Sequence, residues 1–371
     1  MKILSRSLIL FTWLIGSVCS LSASANVSGD VRGVTFFYLD GVHQDFPWVL
    51  DNQRDPEVRK KIDSLLNEYR NAGVNWIRIL VDADHYGKAN ENPVPSLSLI
   101  QKVNDFMRIT RTGDQADWFT IELVLDPYTI KKEDGNKDNG KMQDIHPYDR
   151  DKLWYKTWLD NLDYTNLGMV VIGGDLSPCS IQGCDQTGEI SESHASWIKE
   201  MWSWKEQYYP ELNATYEVIG NEEGINDPRL ISILATWIEK NTPTVPVIAA
   251  SIYIDLPSGS HWVDYAEATN NTLEAYHSVT SKPLWIDEFG KNIRMGSTVA
   301  DQKAAYEGFL GASICWRKNK YAKFAWVGGN DYPYKDKYWY GLVSGFNSND
   351  EPVMRPAWSV LSQYYNLQQC P

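Results

Sequence analysis

Short apolar segments rich in β-branched and aromatic residues alternate along this chain with longer amphipathic segments, and the alternation recurs eight times. Such alternation is typical of repeated βα units, whose strands pair in parallel. The predicted strands span residues 32–38, 75–82, 118–126, 168–174, 215–222, 245–253, 284–288 and 322–328. Predicted helices lie between them, for example at 56–71, 148–163, 189–207 and 299–318. Eight such units predict an α/β fold, a (β/α)8 TIM barrel in a single domain.

The first 25 residues have the layout of a cleavable export signal. A basic start precedes an apolar run from Leu8 to Val18, and the small residues Ala23-Ser24-Ala25 follow it. We therefore expect a secreted protein, extracellular or periplasmic, whose single catalytic domain spans residues 26–371. A membrane anchor needs roughly twenty apolar residues. We find no such segment after the signal and expect no membrane span.

Four cysteines remain after the signal, and in an exported protein they predict two disulfides. Cys179 and Cys184 are close enough in sequence to close a small loop, which leaves Cys315 to pair with Cys370. A zinc site is disfavoured because no histidine lies near either pair at ligand spacing. The acidic stretch 134–138 lacks the glycine position and the terminal Glu of a calcium loop. We expect no metal and no cofactor.

Charge and aromatic content narrow the class of ligand. A net charge of −13 argues against nucleic acid, which is bound by clustered Lys and Arg. Sixteen Trp and twenty-one Tyr could stack on sugars or could simply fill a large barrel. Rings that could form a platform, or pack into a loop, are Phe36, Phe37, Tyr38, Trp326, Tyr332, Tyr334, Tyr338, Trp339 and Tyr340. We expect a monomer that binds a neutral polysaccharide or oligosaccharide.

Carboxylates recur where the predicted strands end. The strand ends carry Asp82, Asp126, Asp175, Glu222 and Glu288. In a parallel barrel these ends meet on one face, where the loops form the site. Carboxylates gathered on one face repel each other, so their convergence indicates binding or chemistry.

Glu222 and Glu288 are the candidate catalytic pair. Glycoside cleavage needs one protonated carboxyl to assist the leaving oxygen and one ionised carboxyl to attack or stabilise the anomeric carbon. Asn-Glu also occurs at 67–68 in a helix and at 90–91 in a polar loop. Only Asn221-Glu222 follows an apolar strand, and a later apolar strand also ends in a glutamate, Glu288.

These motifs resemble those of the retaining glycoside hydrolases of clan A, which include cellulases and mannanases, and the resemblance covers most of the mature chain. It implies that Glu222, preceded by Asn221, is the acid/base. It implies that Glu288, in a Glu-Phe-Gly strand end, is the nucleophile of a double displacement. Arg78 in the second strand and Trp326 on the last strand match further conserved positions of the clan.

The resemblance also implies roles around the pair. Asn221 would donate a hydrogen bond to the sugar 2-hydroxyl, and Arg78 would keep Glu288 ionised. A structural ion pair under the rim is the alternative for Arg78. Tyr253 resembles the tyrosine that bonds the nucleophile, but Ser251 stands where the clan has a histidine. A core tyrosine therefore remains an alternative for Tyr253.

The strand count departs from the clan, which places its glutamates on strands four and seven. The prediction above places them on five and seven. An alternative assignment would restore the clan's count. In it, residues 262–271 form a strand, and either 118–126 or 168–174 is an insertion rather than a barrel strand. Periodicity alone does not separate a short apolar strand from a helical turn.

Two other functions stay open. A non-catalytic barrel could bind carbohydrate through its rings. A glycosidase could also use Asp175 or Asp126, otherwise expected as subsite residues, with one of the glutamates. A carboxyl separation of about 5 to 5.5 Å indicates retention, and one above about 6.5 Å indicates inversion.

Overall fold

The computed structural model describes residues 31–39, 44–82, 94–126, 148–173, 192–221, 229–254, 256–293, 296–315, 322–326 and 340–367. The strands of the main sheet are β1 Arg32–Thr35, β2 Trp76–Asp82, β3 Thr120–Asp126, β4 Leu167–Ile172, β5 Ala214–Thr215, β6 Glu217–Asn221, β7 Ile248–Ile252, β8 Leu284–Glu288 and β9 Ala322–Trp326. A two-stranded antiparallel sheet of β10 Val343–Phe346 and β11 Pro352–Met354 lies outside it. Each of the eight predicted strands is present.

The main sheet closes on itself. Its strand order is β5-β4-β3-β2-β1-β9-β8-β7-β6, and the strands pair in parallel. The two outer strands are halves of one segment, separated by the single residue Tyr216. The Glu217 amide donates to the Gly173 carbonyl beyond β4 at 3.3 Å, and the Ala249 amide donates to the Tyr216 carbonyl at 3.2 Å. The segment therefore bonds to both neighbours, and eight barrel strands form the (β/α)8 fold.

The helices are α1 Phe46–Asn52, α2 Pro56–Asn71, α3 Leu97–Ile109, α4 Asp149–Leu159, α5 Glu192–Tyr208, α6 Arg229–Asn241, α7 Trp262–His277, α8 Val299–Cys315 and α9 Pro356–Asn366. Helix α2 shows why the sequence folds this way. The Asp55 side chain caps its first turn, and Pro56 occupies a position where no amide donor is needed. Residues 62, 65, 66 and 69 form its buried stripe at helical spacing. Within the described ranges, no helix is both long and apolar enough to span a bilayer.

The alternative assignment, with a strand at 262–271, is wrong. Residues 262–271 belong to helix α7, in which Tyr265, Thr269, Thr272 and Tyr276 are buried at three- and four-residue intervals. Both 118–126 and 168–174 contribute barrel strands, β3 and β4. Glu222 therefore follows the fifth barrel strand, and Glu288 ends the seventh.

Inside the barrel, an apolar layer closes the end where the strands begin. It consists of Val31, Trp76, Met169, Val247, Ala249 and Trp285. The rings of Trp76 and Trp285 meet edge to face at 5.0 Å. Gly168 makes room for them, because a Cβ there would lie 2.3 Å from the Trp76 ring. The next layer inside the barrel is polar.

Helices α7 and α8 pack closely at Gly308. A Cβ at this position would lie 2.2 Å from the Trp262 carbonyl oxygen and 2.8 Å from the Ala266 amide nitrogen. Both are backbone atoms, so a rotamer change relieves neither overlap. We expect Gly308→Ala to lower the free energy of unfolding by about 1–3 kcal/mol or more, despite the better helix propensity of Ala. Urea unfolding of this variant beside Gly311→Ala, whose Cβ would meet only the Tyr364 side chain, with its hydroxyl oxygen at 3.1 Å, measures the difference. Equal stability of the two variants would contradict the close packing.

Candidate functional site

Arg78 lies at the centre of the polar layer. It points inward from β2, and 1% of it is exposed. Its Nη1 donates to Glu288 Oε1 at 2.6 Å, and its Nη2 donates to Glu217 Oε2 at 2.7 Å. Its Nε lies 3.3 Å from Glu122 Oε1. One guanidinium thus faces carboxyl groups from three other strands of the barrel.

Glu288 ends β8 at the mouth of the barrel and is 7% exposed. Besides the bond from Arg78, its Oε2 accepts a hydrogen bond from the Tyr253 hydroxyl at 2.7 Å. The Ser251 hydroxyl lies 3.4 Å from the same oxygen but only 2.9 Å from Glu217 Oε1. A hydroxyl donates one hydrogen, so the shorter contact assigns it to Glu217. Both oxygens of Glu288 therefore accept hydrogen bonds, an arrangement that suits an ionised carboxylate.

Two further acids in this layer are fully buried. Glu122 and Asp287 are both 0% exposed. Glu122 has a weak contact with Arg78, whose Nε lies 3.3 Å from its Oε1, and among the described residues no donor bonds to either oxygen of Asp287. Burial raises the pKa of Glu122 to about 8, against the opposing charge of Arg78. Burial holds the pKa of Asp287 well above its usual range, and the nearby carboxyl groups of Glu122 and Glu217 raise it further. Both are expected to carry a proton at neutral pH.

Arg78 keeps its charge in this interior. Burial alone acts to lower its pKa, but Glu217, Glu288, Asp287 and Glu122 together raise its pKa well above the ordinary value. A buried charge persists only when it is paired and hydrogen-bonded. Arg78 is thus a permanent cation beneath Glu288, and the predicted contact between the two is present.

The other predicted site residues fall at the expected ends of strands. Asp126 ends β3, Asn221 ends β6 and Trp326 ends β9, and these three are placed by their backbone. Glu222 and Asp175 lie outside the described residues, as do Cys179, Cys184 and Cys370. Cys315 is the last residue of α8.

Tyr253 directly follows β7, and its ring lies 5.4 Å from that of Tyr340. Its hydroxyl bonds to Glu288, so it lies at the site rather than only in the core. Of the predicted platform rings, Phe36 is fully buried and packs against Phe46 and Phe106. Tyr38 and Tyr340 are each 8% exposed. For these three rings the packed alternative holds, and the remaining platform rings, apart from the half-buried Phe37, lie where side chains are not described.

Sequence reasoning missed Glu122, Glu217 and Asp287. Glu122 and Glu217 are flanked by apolar residues, in Ile121-Glu122-Leu123 and Tyr216-Glu217-Val218, and Asp287 follows the apolar Ile286 and precedes Glu288. An acid flanked this way on a buried strand needs a partner inside the barrel. That pattern could have identified them.

The described residues contain no group of three or more His, Cys, Asp or Glu side chains arranged to hold a metal ion. The chemistry that this site offers is that of carboxylates. A carboxylate fixed at both oxygens and reachable from the mouth of the barrel can attack an electrophilic carbon or stabilise a developing positive charge.

Comparison with known proteins gives a fold and no closer relationship. No protein-family model and no curated protein matches the chain. An endo-β-1,4-glucanase from Xanthomonas axonopodis pv. citri aligns with a TM-score of 0.58 and 12% identity, covering 91% of this chain and 98% of that one. A family 5 xyloglucanase from Paenibacillus pabuli aligns with a TM-score of 0.59 and 11% identity, covering 92% and 99%.

A GH5_18 protein from Streptomyces cattleya, solved with Manβ1-4GlcNAc, aligns with a TM-score of 0.63 and 12% identity, covering 92% of this chain and 83% of that one. Each alignment spans nearly all of the described barrel. The chain therefore shares the (β/α)8 fold of these glycoside hydrolases.

Proposed function

We propose that this protein is a glycoside hydrolase that cleaves a β-linked polysaccharide, internally along the chain, by a retaining double displacement. The observation that carries the proposal is the environment of Glu288: a strand-end carboxylate at the barrel mouth, bonded at one oxygen by Arg78 and at the other by Tyr253. This arrangement orients a carboxylate and leaves it charged, which a nucleophile requires.

In the proposed reaction, Glu288 attacks the anomeric carbon while Glu222 gives its proton to the departing glycosidic oxygen. A bond forms between Glu288 and the sugar as the glycosidic bond breaks. Glu222 then takes a proton from water, which attacks the same carbon and releases Glu288. Asn221 donates to the sugar 2-hydroxyl in both steps, and Asp126, Asp175 and Trp326 border the subsites.

The proposal includes export, with the first 25 residues removed and disulfides pairing Cys179 with Cys184 and Cys315 with Cys370. The similar structures act on or hold different sugars: a β-1,4-glucan, a xyloglucan and a mannosyl disaccharide, by their descriptions. The substrate panel should therefore include β-glucans, xyloglucan, mannans, galactans and bacterial exopolysaccharides.

The test is release of reducing ends from that panel by the wild type and by Glu288→Gln. We expect one polysaccharide to be cut by the wild type and cleavage by Glu288→Gln to be at least about 10³-fold slower. Glu267→Gln, at an exposed position of α7, is the matched control and should match the wild type. Binding without cleavage by the wild type would replace the hydrolase with a non-catalytic carbohydrate-binding protein.

A second acid is favoured by one observation. Strand β4 is the fourth barrel strand and ends at Ile172, three residues before Asp175. Resemblance to clan A puts the acid/base after the fourth strand, so Asp175 is the rival of Glu222. Added azide can replace a missing acid/base carboxylate in the second step. Azide rescue of Glu222→Ala supports Glu222, and rescue of Asp175→Ala in its place assigns the role to Asp175.

A further inference from the structure

The polar layer holds more acid than base. In the part of the chain that the structure describes, Arg78 is the one positive charge that acts on Glu122 and Asp287. Glu217 and Glu288 also face it. Four ionised carboxylates around one guanidinium would leave three uncompensated negative charges in a dry interior, which costs several kcal/mol for each ion. Some of these acids must therefore hold protons.

The hydrogen bonds show which acids these are. Glu288 accepts from Arg78 and Tyr253, and Glu217 accepts from Arg78 and Ser251. Donors favour the charged form of a carboxylate. Among the described residues Glu122 has only the 3.3 Å contact with Arg78 Nε, which is longer than the 2.6 and 2.7 Å bonds to Glu288 and Glu217, and no described donor bonds to Asp287. The ionised pair is therefore Glu217 and Glu288, and the weakly bonded Glu122 and the unbonded Asp287 are neutral.

Glu122 differs from Asp287 in its closeness to the guanidinium. It pairs with Arg78 across adjacent strands β2 and β3, and its Oε1 lies 3.3 Å from Arg78 Nε. Its neighbour across β4 is Met169, which carries no charge. An ionised Glu122 would thus compete with Glu217 and Glu288 for the Arg78 guanidinium. The donors of this planar group are fixed relative to each other. Rotation towards Glu122 necessarily moves Nη1 relative to Glu288.

We propose that Glu122 is a positioning residue for Glu288 and acts through Arg78. While Glu122 holds its proton, Arg78 directs Nη1 and Nη2 at Glu288 and Glu217. When that proton passes to solvent, the new carboxylate draws the guanidinium towards β3 and loosens its bond to Glu288. The effect on activity rests on the proposed glycosidase function, whereas the effect on Glu288 itself is a property of the folded protein.

The first test needs no substrate. Carbon-13 spectra of the full protein, labelled at the glutamate side-chain carboxyl, follow each glutamate from pH 5 to pH 10. Signals are assigned by their loss in Glu122→Gln and Glu288→Gln. We expect Glu122 to be neutral at pH 7 and to ionise at about pH 8, and the Glu288 signal to shift in the same step. In Glu122→Gln that shift of Glu288 should vanish, and in Glu267→Gln it should remain.

An ionised Glu122 at pH 6 would overturn the proposal. A Glu288 signal whose chemical shift does not change when Glu122 ionises would also overturn it. If Glu122→Gln fails to fold, the loss of the same signal in Glu122→Asp assigns Glu122, and the wild-type spectra then decide the first point. The conservative variant Glu122→Asp then replaces it. Its carboxyl is one methylene further from Arg78, so it should shift Glu288 less than the wild type does.

The second test measures the reaction. The probe is the 2,4-dinitrophenyl glycoside of the sugar identified by the polysaccharide assay, because its leaving group needs no proton from the acid/base. We expect the wild type to lose kcat about tenfold per pH unit above about pH 8, and Glu122→Gln to keep its rate at least one unit further. If kcat of Glu122→Gln falls above pH 8 in the same way as that of the wild type, the proposed role of Glu122 is refuted. If no polysaccharide is cut, the glycosidase function fails, and the spectra still decide how Glu122 acts on Glu288.

Discussion

Replacing Arg78 by Met is expected to lower the free energy of unfolding by about 3–5 kcal/mol and to abolish activity. The variant keeps most of the side-chain volume but leaves Glu217 and Glu288 buried without their cation. Breaking a buried ion pair from one side costs this much because the remaining charge is uncompensated. Urea unfolding at pH 7, where the midpoint and slope are fitted together, measures the loss.

Arg59→Met is the matched control for that experiment. Arg59 pairs with Asp63 at 2.9 Å one helical turn away, but both side chains are more than a third exposed. Exposed pairs of this kind contribute at most about 0.5 kcal/mol. Adding Glu217→Gln to Arg78→Met should recover part of the stability, because it removes one of the two buried negative charges that are left uncompensated. Equal costs for Arg78→Met and Arg59→Met would mean that the buried layer is not charged as described.

The second large effect is a fall in stability as pH rises towards 8. The folded protein holds protons on Glu122 and Asp287 at pH values where the unfolded chain has released them. The unfolded state then binds fewer protons, so the free energy of unfolding decreases with pH. For Glu122 the window runs from its ordinary pKa of 4.5 to about 8, with a slope of up to about 1.4 kcal/mol per pH unit.

Other titrating groups also make stability depend on pH, so the pH range that reports on the buried acids alone is narrower. Burial lowers the pKa of His277 from 6.5, which adds stability as pH rises below that value. The pKa of Asp301 is lowered to about 2, despite its burial, because Gly259, Thr298 and Ser258 donate to it, and its stabilising effect is lost only in strong acid. Urea midpoints between pH 6.5 and pH 8 therefore isolate the buried acids. Wild-type stability should fall across this range, and Glu122→Gln should fall less steeply. A wild-type midpoint that rises would contradict protonated acids in the barrel.

The barrel itself was predictable from the sequence because each strand and helix carries its own signal. Strand β8 matches its predicted range of 284–288, and helix α2 matches 56–71, since Asp55 and Pro56 mark its start. The alternative strand at 262–271 was wrong for a local reason. Its buried residues recur every three or four positions, but the apolar run is too short for that period to be evident.

The polar layer could not be predicted in the same way. Glu122, Glu217 and Asp287 come from three separate strands, and only the register of the closed barrel brings them to one guanidinium. The sequence does show that each is an acid next to apolar residues of a strand. It does not show that Arg78 is shared among them, nor which of the acids receives its hydrogen bonds.

The interrupted strand at Tyr216 leaves a sparsely paired seam in the barrel, between β4 and β5. Among the described residues, two cross-strand pairs join β4 to β5, whereas seven join β2 to β3. Glu217 and Glu288 lie on strands linked through β7, and Arg78 on β2 binds both of them across the inside of the barrel. Local opening starts where pairing is sparse. Arg78 therefore ties β2 to β6 and β8 across the inside of the barrel, and its bonds restrain this sparsely paired seam from opening.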